Sequence, residues 1–326
     1  MASTRNKLIQ ILSENTDTYI SGQEISEKLN ISRNSVWKHM KALERDGYEI
    51  EGIPRKGYRI IKTPDKVSDN TIKWGLETEW LGHSIIHKPT GTSTQNLLHQ
   101  AAQEDAPHGT VAILDEQTEG RGRMRRKWQS ASNKGMWMSI LLRPEIPPQE
   151  APQLTLLTAT VLADVLKHEW NVEPMIKWPN DLLLDKKKVA GILTEMQAEQ
   201  DQIQYVVIGI GLNINHTEDD LPETVSYPAT SLYLETGELW SIQDIIQYFL
   251  HRFEKAYDEF LLHGFSTVKE KWESYGFKIG KQIKIKTMND EKDAIFQGIA
   301  DDGALLIRDE TGGTKKMYSG EIQWFE

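Results

Sequence analysis

The 326-residue chain contains no cysteine. That excludes disulfides, thiol nucleophiles, thiolate-held iron–sulfur clusters and cysteine zinc sites together, and it fits a reducing, cytoplasmic setting. No apolar run approaches the roughly 18 residues a membrane-spanning helix needs, so no membrane partner is expected. The opening Met1-Ala2-Ser3-Thr4-Arg5 leads into a polar helical pattern without the apolar centre of a secretory signal. The phosphate-binding run G-x-x-x-x-G-K-[ST] is missing, because Gly280-Lys281 is followed by Gln282. Gly120-Arg121-Gly122-Arg123-Met124-Arg125 has two glycines of a dinucleotide fingerprint but an arginine at the third place. A nucleotide site in this chain has to be built some other way.

Positive charge is scarce overall, with a net charge of -10. It is not scarce everywhere: residues 1–64 carry 11 Lys+Arg against 8 Asp+Glu, leaving the rest strongly acidic. A mildly basic module on an acidic body suits local DNA binding. Leu8, Ile9 and Leu12 make one apolar helical stripe. Ser21-Gly22-Gln23-Glu24 is a capping box that starts a second helix, and Ser32 caps a third with Val36, Met40 and Leu43 on its apolar side. Ser32, Arg33, Asn34, Ser35 and Lys38 cluster at the start of that third helix, where a recognition helix meets base edges and phosphates. Tyr48-Glu49-Ile50 and Tyr58-Arg59-Ile60 flank Gly52-Ile53-Pro54-Arg55-Lys56-Gly57. This predicts a hairpin wing whose Arg55 and Lys56 reach the DNA backbone. The pattern is a winged helix-turn-helix, which implies a dimer on two half-sites; a three-helix protein-interaction module is the competing interpretation. We place this domain at 1–64 and a polar, proline-containing linker at 65–72.

Residues 73–276 mix strands (Val111–Leu114, Met136–Leu142, Val189–Gln197, Tyr205–Ile214) with helices (Thr94–Glu104, Gln153–Trp170, Ile242–Leu262). The absence of strict βαβ alternation predicts an α+β domain on a mixed, largely antiparallel sheet. In Gly120–Trp128, glycines admit a ligand to the backbone and arginines offer forked donors to phosphate or carboxylate. A solvated basic loop or a nucleic-acid patch are the alternatives, and on composition alone a solvated, disordered loop fits better. Lys177-Trp178-Pro179-Asn180-Asp181 supplies a cation, an amide and a carboxylate, with Asp181 a candidate for Mg²⁺; a plain turn is the alternative. Lys188 precedes the small Ala190-Gly191, which lets a ligand lie close. Gly209-Ile210-Gly211-Leu212-Asn213 is a buried strand with glycines that mark either a bulge or a ligand against the backbone.

Taken in order, Thr92-Ser93-Thr94-Gln95, Gly120-Arg121-Gly122-Arg123 with Arg126-Lys127-Trp128, Lys177–Asp181, Lys188 with Ala190-Gly191-Ile192, and Gly209–Asn213 closely resemble biotin protein ligases. Together with the winged helix, the chain resembles their bifunctional bacterial type, ligase and biotin operon repressor in one. The resemblance implies that biotin and ATP, with Mg²⁺, form biotinyl-5′-adenylate, which a lysine of a biotin carboxyl carrier protein then attacks. It implies a catalytic fold like that of class II aminoacyl-tRNA synthetases. It also implies that the adenylate acts as corepressor, favouring a homodimer, paired through the central domain at a sheet edge, and operator binding. By position, Ser93, Thr94, Gln95 and Gln117 match the biotin head-group contacts, and Arg121, Gly122 and Arg123 the loop over biotin and phosphate. Lys188 matches the lysine at the carboxylate, Arg126 and Trp128 residues near the nucleotide, and Asn180, Asp181 and Asn213 positions around ATP and its metal. Lys188 and Arg123 are the expected charge-stabilising catalysts, and Arg121 is expected mainly to order the loop. The adenine-covering loop falls within 215–231, where no motif matches. A lipoate ligase and a non-enzymatic biotin sensor are the rivals. Short strands at Gly280–Ile285, Ala294–Ala300, Ala304–Arg308 and Lys315–Tyr318 make residues 277–326 an SH3-like β barrel, also as in the family.

Overall fold

Serine caps set the first helices. A computed structural model describes residues 4–13, 15, 18–45, 47–62, 64, 66–74, 76–221, 228–286, 291–318 and 321–324. After α1 (Thr4–Ser13), Ser21 Oγ accepts the Glu24 N–H at 3.1 Å and starts α2 (Gly22–Leu29). Ser32 Oγ accepts the Ser35 N–H at 3.1 Å and starts α3 (Arg33–Arg45). Leu8, Ile9, Leu12, Ile25, Val36, Met40 and Leu43 form one core with Tyr48 and Ile60, because their spacing puts them on the inner helix faces. β1 (Glu49–Ile53) and β2 (Gly57–Lys62) pair as the expected hairpin. Ile20 exchanges two backbone hydrogen bonds with Tyr58, at 3.0 and 2.8 Å, which adds a third short strand to the wing. Of the segment 65–72, residue 65 lies outside the described residues; the rest leads into a helix, α4 (Asp69–Lys73), capped by Ser68 and burying Ile72.

The chain divides into two compact units, Met1–Glu77 with Ser241–Gln247, and Thr78–Trp240 with Tyr248–Glu326. The second is built on β3 (Ile85–Gly91), α5 (Thr94–Gln103), β4 (Val111–Gln117), β5 (Gly135–Leu142), α6 (Ala151–Trp170), β6 (Met175–Lys177), β7 (Asp181–Leu184), β8 (Lys187–Glu199) and β9 (Gln202–Asn213). These strands form one sheet in the order β3-β4-β5-β9-β8-β7-β6, parallel between β3 and β4 and antiparallel elsewhere. The mixed, largely antiparallel sheet is as expected. β3, β6 and β7 were not expected; the last two, three and four residues long, are too short to show a period.

Register assigns the faces. Trp137 and Ser139 of β5 lie opposite Gly211 and Gly209 of β9, which in turn lie opposite Gly191 and Leu193 of β8, and Gly191 lies opposite Asp181 of β7. Directly paired residues share a face, so these line one side of the sheet. Leu98, Ala101 and Ala102 of α5 pack against Ala112, Leu141, Tyr205 and Val207, covering one end of that side and leaving the glycine-lined end beyond the helix N-terminus. α6 lies on the opposite side, where Thr155 and Thr194 hydroxyls meet at 2.7 Å.

α7 (Leu232–Thr236), α8 (Ile242–His263) and α9 (Ser266–Tyr275) follow. Then come β10 (Gln282–Lys286), β11 (Glu291–Ile299), β12 (Leu305–Arg308), β13 (Thr314–Met317) and β14 (Glu321–Gln323). These five pair in the order β13-β12-β11-β10-β14. Among the described residues no ladder joins β13 to β14, so the expected closed barrel is here an open antiparallel sheet. The four strands expected from alternation are present; closure depends on partners between strand ends, which alternation does not report. No described helix is long and apolar enough to cross a membrane.

Candidate active site

The glycine-lined end of the sheet is where the candidate residues converge. Ser93 caps α5, its Oγ accepting the Asn96 N–H. This turns Thr94 and Gln95 inward, and both are buried. Thr94 N donates to Gln117 Oε1 at 2.9 Å, and Thr94 Oγ1 meets Ser139 Oγ at 2.7 Å. Gln117 Nε2 donates to Ser130 Oγ at 2.8 Å. Gln95 Nε2 donates to Leu193 O at 2.9 Å, whereas the buried Gln95 Oε1 has no hydrogen-bond partner. A Cβ at Gly209 would stand 3.1 Å from the Gln95 amide, so glycine is what lets that side chain lie on the strand.

The basic loop folds back over the same floor. Gly122 N donates to Arg126 O at 2.7 Å and Trp128 N to Gly120 O at 2.8 Å, which lays the Trp128 indole across Gly191 and Gly211. A Cβ would stand 3.1 Å from the indole at Gly191 and 2.6 Å at Gly211. Trp128 packs edge-on to Trp137 at 6.3 Å, and its buried Nε1 has no partner. Arg121 turns the other way, to Glu195 at 2.9 Å and Asn96 at 2.6 Å. Arg123 and Arg126 remain exposed, with Arg123 Nη1 3.5 Å from Asn180 Oδ1.

Asn180 is fixed to β8 by Nδ2 donating to Ile192 O at 2.8 Å. Lys188 Nζ lies 2.5 Å from Asp181 Oδ1 and 5.3 Å from the Trp128 ring centroid. Lys177 Nζ lies 3.5 Å from Asp181 Oδ2. Burial pushes the Lys177 ammonium down to about 8 against the pull of Asp181, and neighbouring Lys188 lowers it further. Lys177 and Lys188 thus flank one carboxylate, with Arg123 near enough to feel it and Arg126 near enough to feel Lys177, a cationic centre suited to a polyanion. Asp181, expected to hold Mg²⁺, faces Lys188 and Lys177 with its two oxygens. Among the described residues no three His, Cys, Asp or Glu side chains stand together as a metal site.

Asn213 Nδ2 donates to Thr230 O at 2.9 Å, and Lys188 pairs through its backbone with Pro228 and Thr230. Asn213 therefore ties residues 228–230 beside the site. Residues 222–227 of the expected adenine loop lie outside the described residues. The sequence did not point to Asn96 and Glu195, which hold Arg121, to His99, which holds Glu195, or to the buried His216 against Trp137; none carries a local signal beyond its place on a helix, strand or loop.

In the first unit, Arg33, Asn34 and Lys38 are exposed on α3, and Arg55 and Lys56 are exposed at the hairpin turn. Ser32 is engaged as the cap and Ser35 shares a 2.9 Å contact with it. Trp37, half exposed among these cations, was not anticipated.

Comparison with known proteins gives matches along the chain. Residues 87–213 match the biotin/lipoate A/B protein ligase family, residues 4–59 an HTH domain, and residues 278–324 the biotin protein ligase C terminal domain. The chain is 44% identical over 324 residues to the bifunctional ligase/repressor BirA of Bacillus subtilis (strain 168), covering 99% of each. It is 29% identical to the protein of that name from Escherichia coli (strain K12), covering 97% of this chain and 95% of that protein. Biotin protein ligase from Aquifex aeolicus, solved in complex with biotin and ATP, aligns with a TM-score of 0.63 and 31% identity, covering 74% of this chain and 98% of that one.

Proposed function

The chain belongs to the biotin protein ligases, in their bifunctional ligase/repressor branch, and from that premise we propose how its residues serve the two activities. The protein is an ATP-dependent biotin ligase and a DNA-binding repressor. The observation that carries the site assignment is the division of one floor into two ends. At one end the Gln95 amide sits over Gly209 with its Oε1 unpartnered, an acceptor fit for the ring N–H of the biotin head, with Ser93, Thr94 and Gln117 around it. At the other end Lys188, Lys177, Arg123 and Arg126 face the polyphosphate, with Trp128 between.

Biotin's carboxylate attacks the α-phosphate of ATP, forming the acyl-adenylate and releasing pyrophosphate. Lys188 and Arg123 offset the charge that builds on the phosphoryl oxygens, and no protein nucleophile is needed. Arg121 and Gly122 belong to the loop that shields the adenylate from water. A lysine amine of a biotin carboxyl carrier protein then displaces AMP. Asn180, Asp181 and Asn213 shape the ATP end. With Asp181 engaged by two ammonium groups, a direct Asp181–Mg²⁺ contact does not fit, and Mg²⁺ is assigned to the nucleotide phosphates it accompanies.

For repression, Arg33, Asn34, Ser35 and Lys38 read operator DNA while Arg55 and Lys56 hold its backbone, in an adenylate-bound homodimer. Residues 1–64 form the DNA-binding domain, 65–72 the linker, 73–276 the synthetase-like catalytic domain and 277–326 the C-terminal β domain. The test is biotin-dependent ATP–pyrophosphate exchange with lipoate as control. Exchange with biotin alone is expected; none from folded protein overturns the site assignment.

A further inference from the structure

β7 pairs with β8 from Lys187 to Gly191, and Asn180 continues the backbone contact at Ile192. Further along β8, α5 meets the strand through its side chains. Gln95 and His99 stand one helical turn apart, about 6 Å. They meet Leu193 and Glu195, two strand residues and so about 6.7 Å apart. Gln95 Nε2 donates to Leu193 O at 2.9 Å and His99 Nε2 meets Glu195 Oε2 at 3.0 Å. His99 Nδ1 lies 3.3 Å from the Tyr205 hydroxyl.

Glu195 then has its remaining capacity directed at the basic loop. Arg121 presents Nη2 to Oε2 at 2.9 Å and Nε to Oε1 at 3.4 Å, a two-pronged contact across 74 residues of sequence. The same guanidinium donates through Nη1 to Asn96 Oδ1 at 2.6 Å and to Ser93 Oγ, the cap of α5, at 3.4 Å. One carboxylate thus joins loop, helix and strand beside the buried Gln95. The partners hold that carboxyl down at about 2, His99 foremost and then Arg121.

We infer that Glu195 is a positioning residue for ligation: with His99 it anchors Arg121 and so holds the 120–128 loop down over bound biotin and its adenylate. This rests on the ligase assignment above. Losing a forked, charge-assisted pair should speed release of bound adenylate about tenfold and raise the biotin KM about as much, and in Glu195→Gln kcat at saturating biotin should change little. The full-length Glu195→Gln, Arg121→Lys and double variants are compared. Three quantities are read: biotin KM against kcat, the half-life of adenylate retained after gel filtration, and trypsin cleavage after Arg125 and Arg126 with and without biotin. The expected result is faster loop cleavage in both single variants and a double variant no worse than either, because both remove one contact. Additive effects, or a Glu195→Gln variant indistinguishable from wild type, overturn the inference. If Glu195→Gln does not fold, Arg121→Lys against His99→Asn runs the same cycle. Cleavage needs no turnover, so wild-type protein that fails in exchange refutes the ligase assignment and leaves the anchor to be judged on cleavage.

Discussion

Gly209 and Gly211 stand two residues apart on one strand and face the same site, yet each makes room for a different neighbour, which allows the two substrates to be separated by single methyl groups. In Gly211→Ala the new Cβ would lie 2.6 Å from Trp128 Cε2 and 2.7 Å from Nε1. Ordinary carbon contacts are about 3.5–4.0 Å, so the indole must lift by about 1 Å. Its backbone bond to Gly120 and its edge contact with Trp137 oppose that movement. Overpacking of this kind costs about 1–3 kcal/mol, which corresponds to roughly 5- to 150-fold, read in kcat/KM for ATP. In Gly209→Ala the Cβ lies 3.1 Å from the Gln95 Cδ and Nε2. A shift of a few tenths of an ångström suffices there, but it strains the bond to Leu193, and a rise of roughly 3- to 10-fold in the biotin KM is expected. Neither glycine has the positive φ that penalises alanine, so backbone strain adds nothing; Gly209→Ala should melt within a few degrees of wild type, whereas Gly211→Ala carries its overpacking cost into melting as well. Pyrophosphate exchange with each substrate varied in turn is the assay. If Gly211→Ala altered the biotin KM and spared ATP, or if both variants matched wild type, the assignment of the two ends would be wrong.

Other expectations are more local. Lys188→Ala should abolish adenylate formation while circular dichroism and melting stay near wild type; normal turnover by the variant would remove Lys188 from the chemistry. His216 is buried and neutral, burial pushing it down from 6.5 to about 4. The unfolded chain takes up a proton first as pH falls, so stability is full above 6.5 and declines towards pH 4, by about 3 kcal/mol at most. Denaturant melts of wild type and His216→Leu across pH 4.5–7.5 should show the slope only in wild type, and equal slopes would contradict it. Gly57 has φ +123° and a Cβ there would lie 2.0 Å from Ile20 O, so Gly57→Ala should destabilise the first unit by about 2 kcal/mol or more and weaken DNA binding before ligation; unchanged operator affinity would count against the wing. Lys56→Ala should lower the salt dependence of DNA binding by about one phosphate contact, and Arg33→Ala should cost about 1–3 kcal/mol with ligation intact, both measured by fluorescence anisotropy over a salt series.

The helix starts were legible because a cap is a contact over three residues: Ser21 with Glu24 and Ser32 with Ser35 are visible to anyone reading along the chain. The long strands β5, β8 and β9 were legible because their apolar runs outlast any turn, and the basic loop and the KWPND segment because their composition departs sharply from the acidic body. The sequence by itself thus determined which residues are candidates for the chemistry and the order in which the chain presents them. Only the tertiary structure decided what each one touches. Register, which depends on pairing between strands far apart in sequence, put Gly191, Gly209 and Gly211 on one face. The limited cover of α5 left that end of the face open. Glu195 met Arg121 across 74 residues because register put it on the face that also carries Gly191 and Leu193, and Asp181 met two lysines because β6 pairs it with Lys177 and β8 brings Lys188 beside it. Four C-terminal strands were foreseen and, among the described residues, their closed barrel was not found, since alternation along a strand reports which side is buried and says nothing of how a sheet's two edges meet.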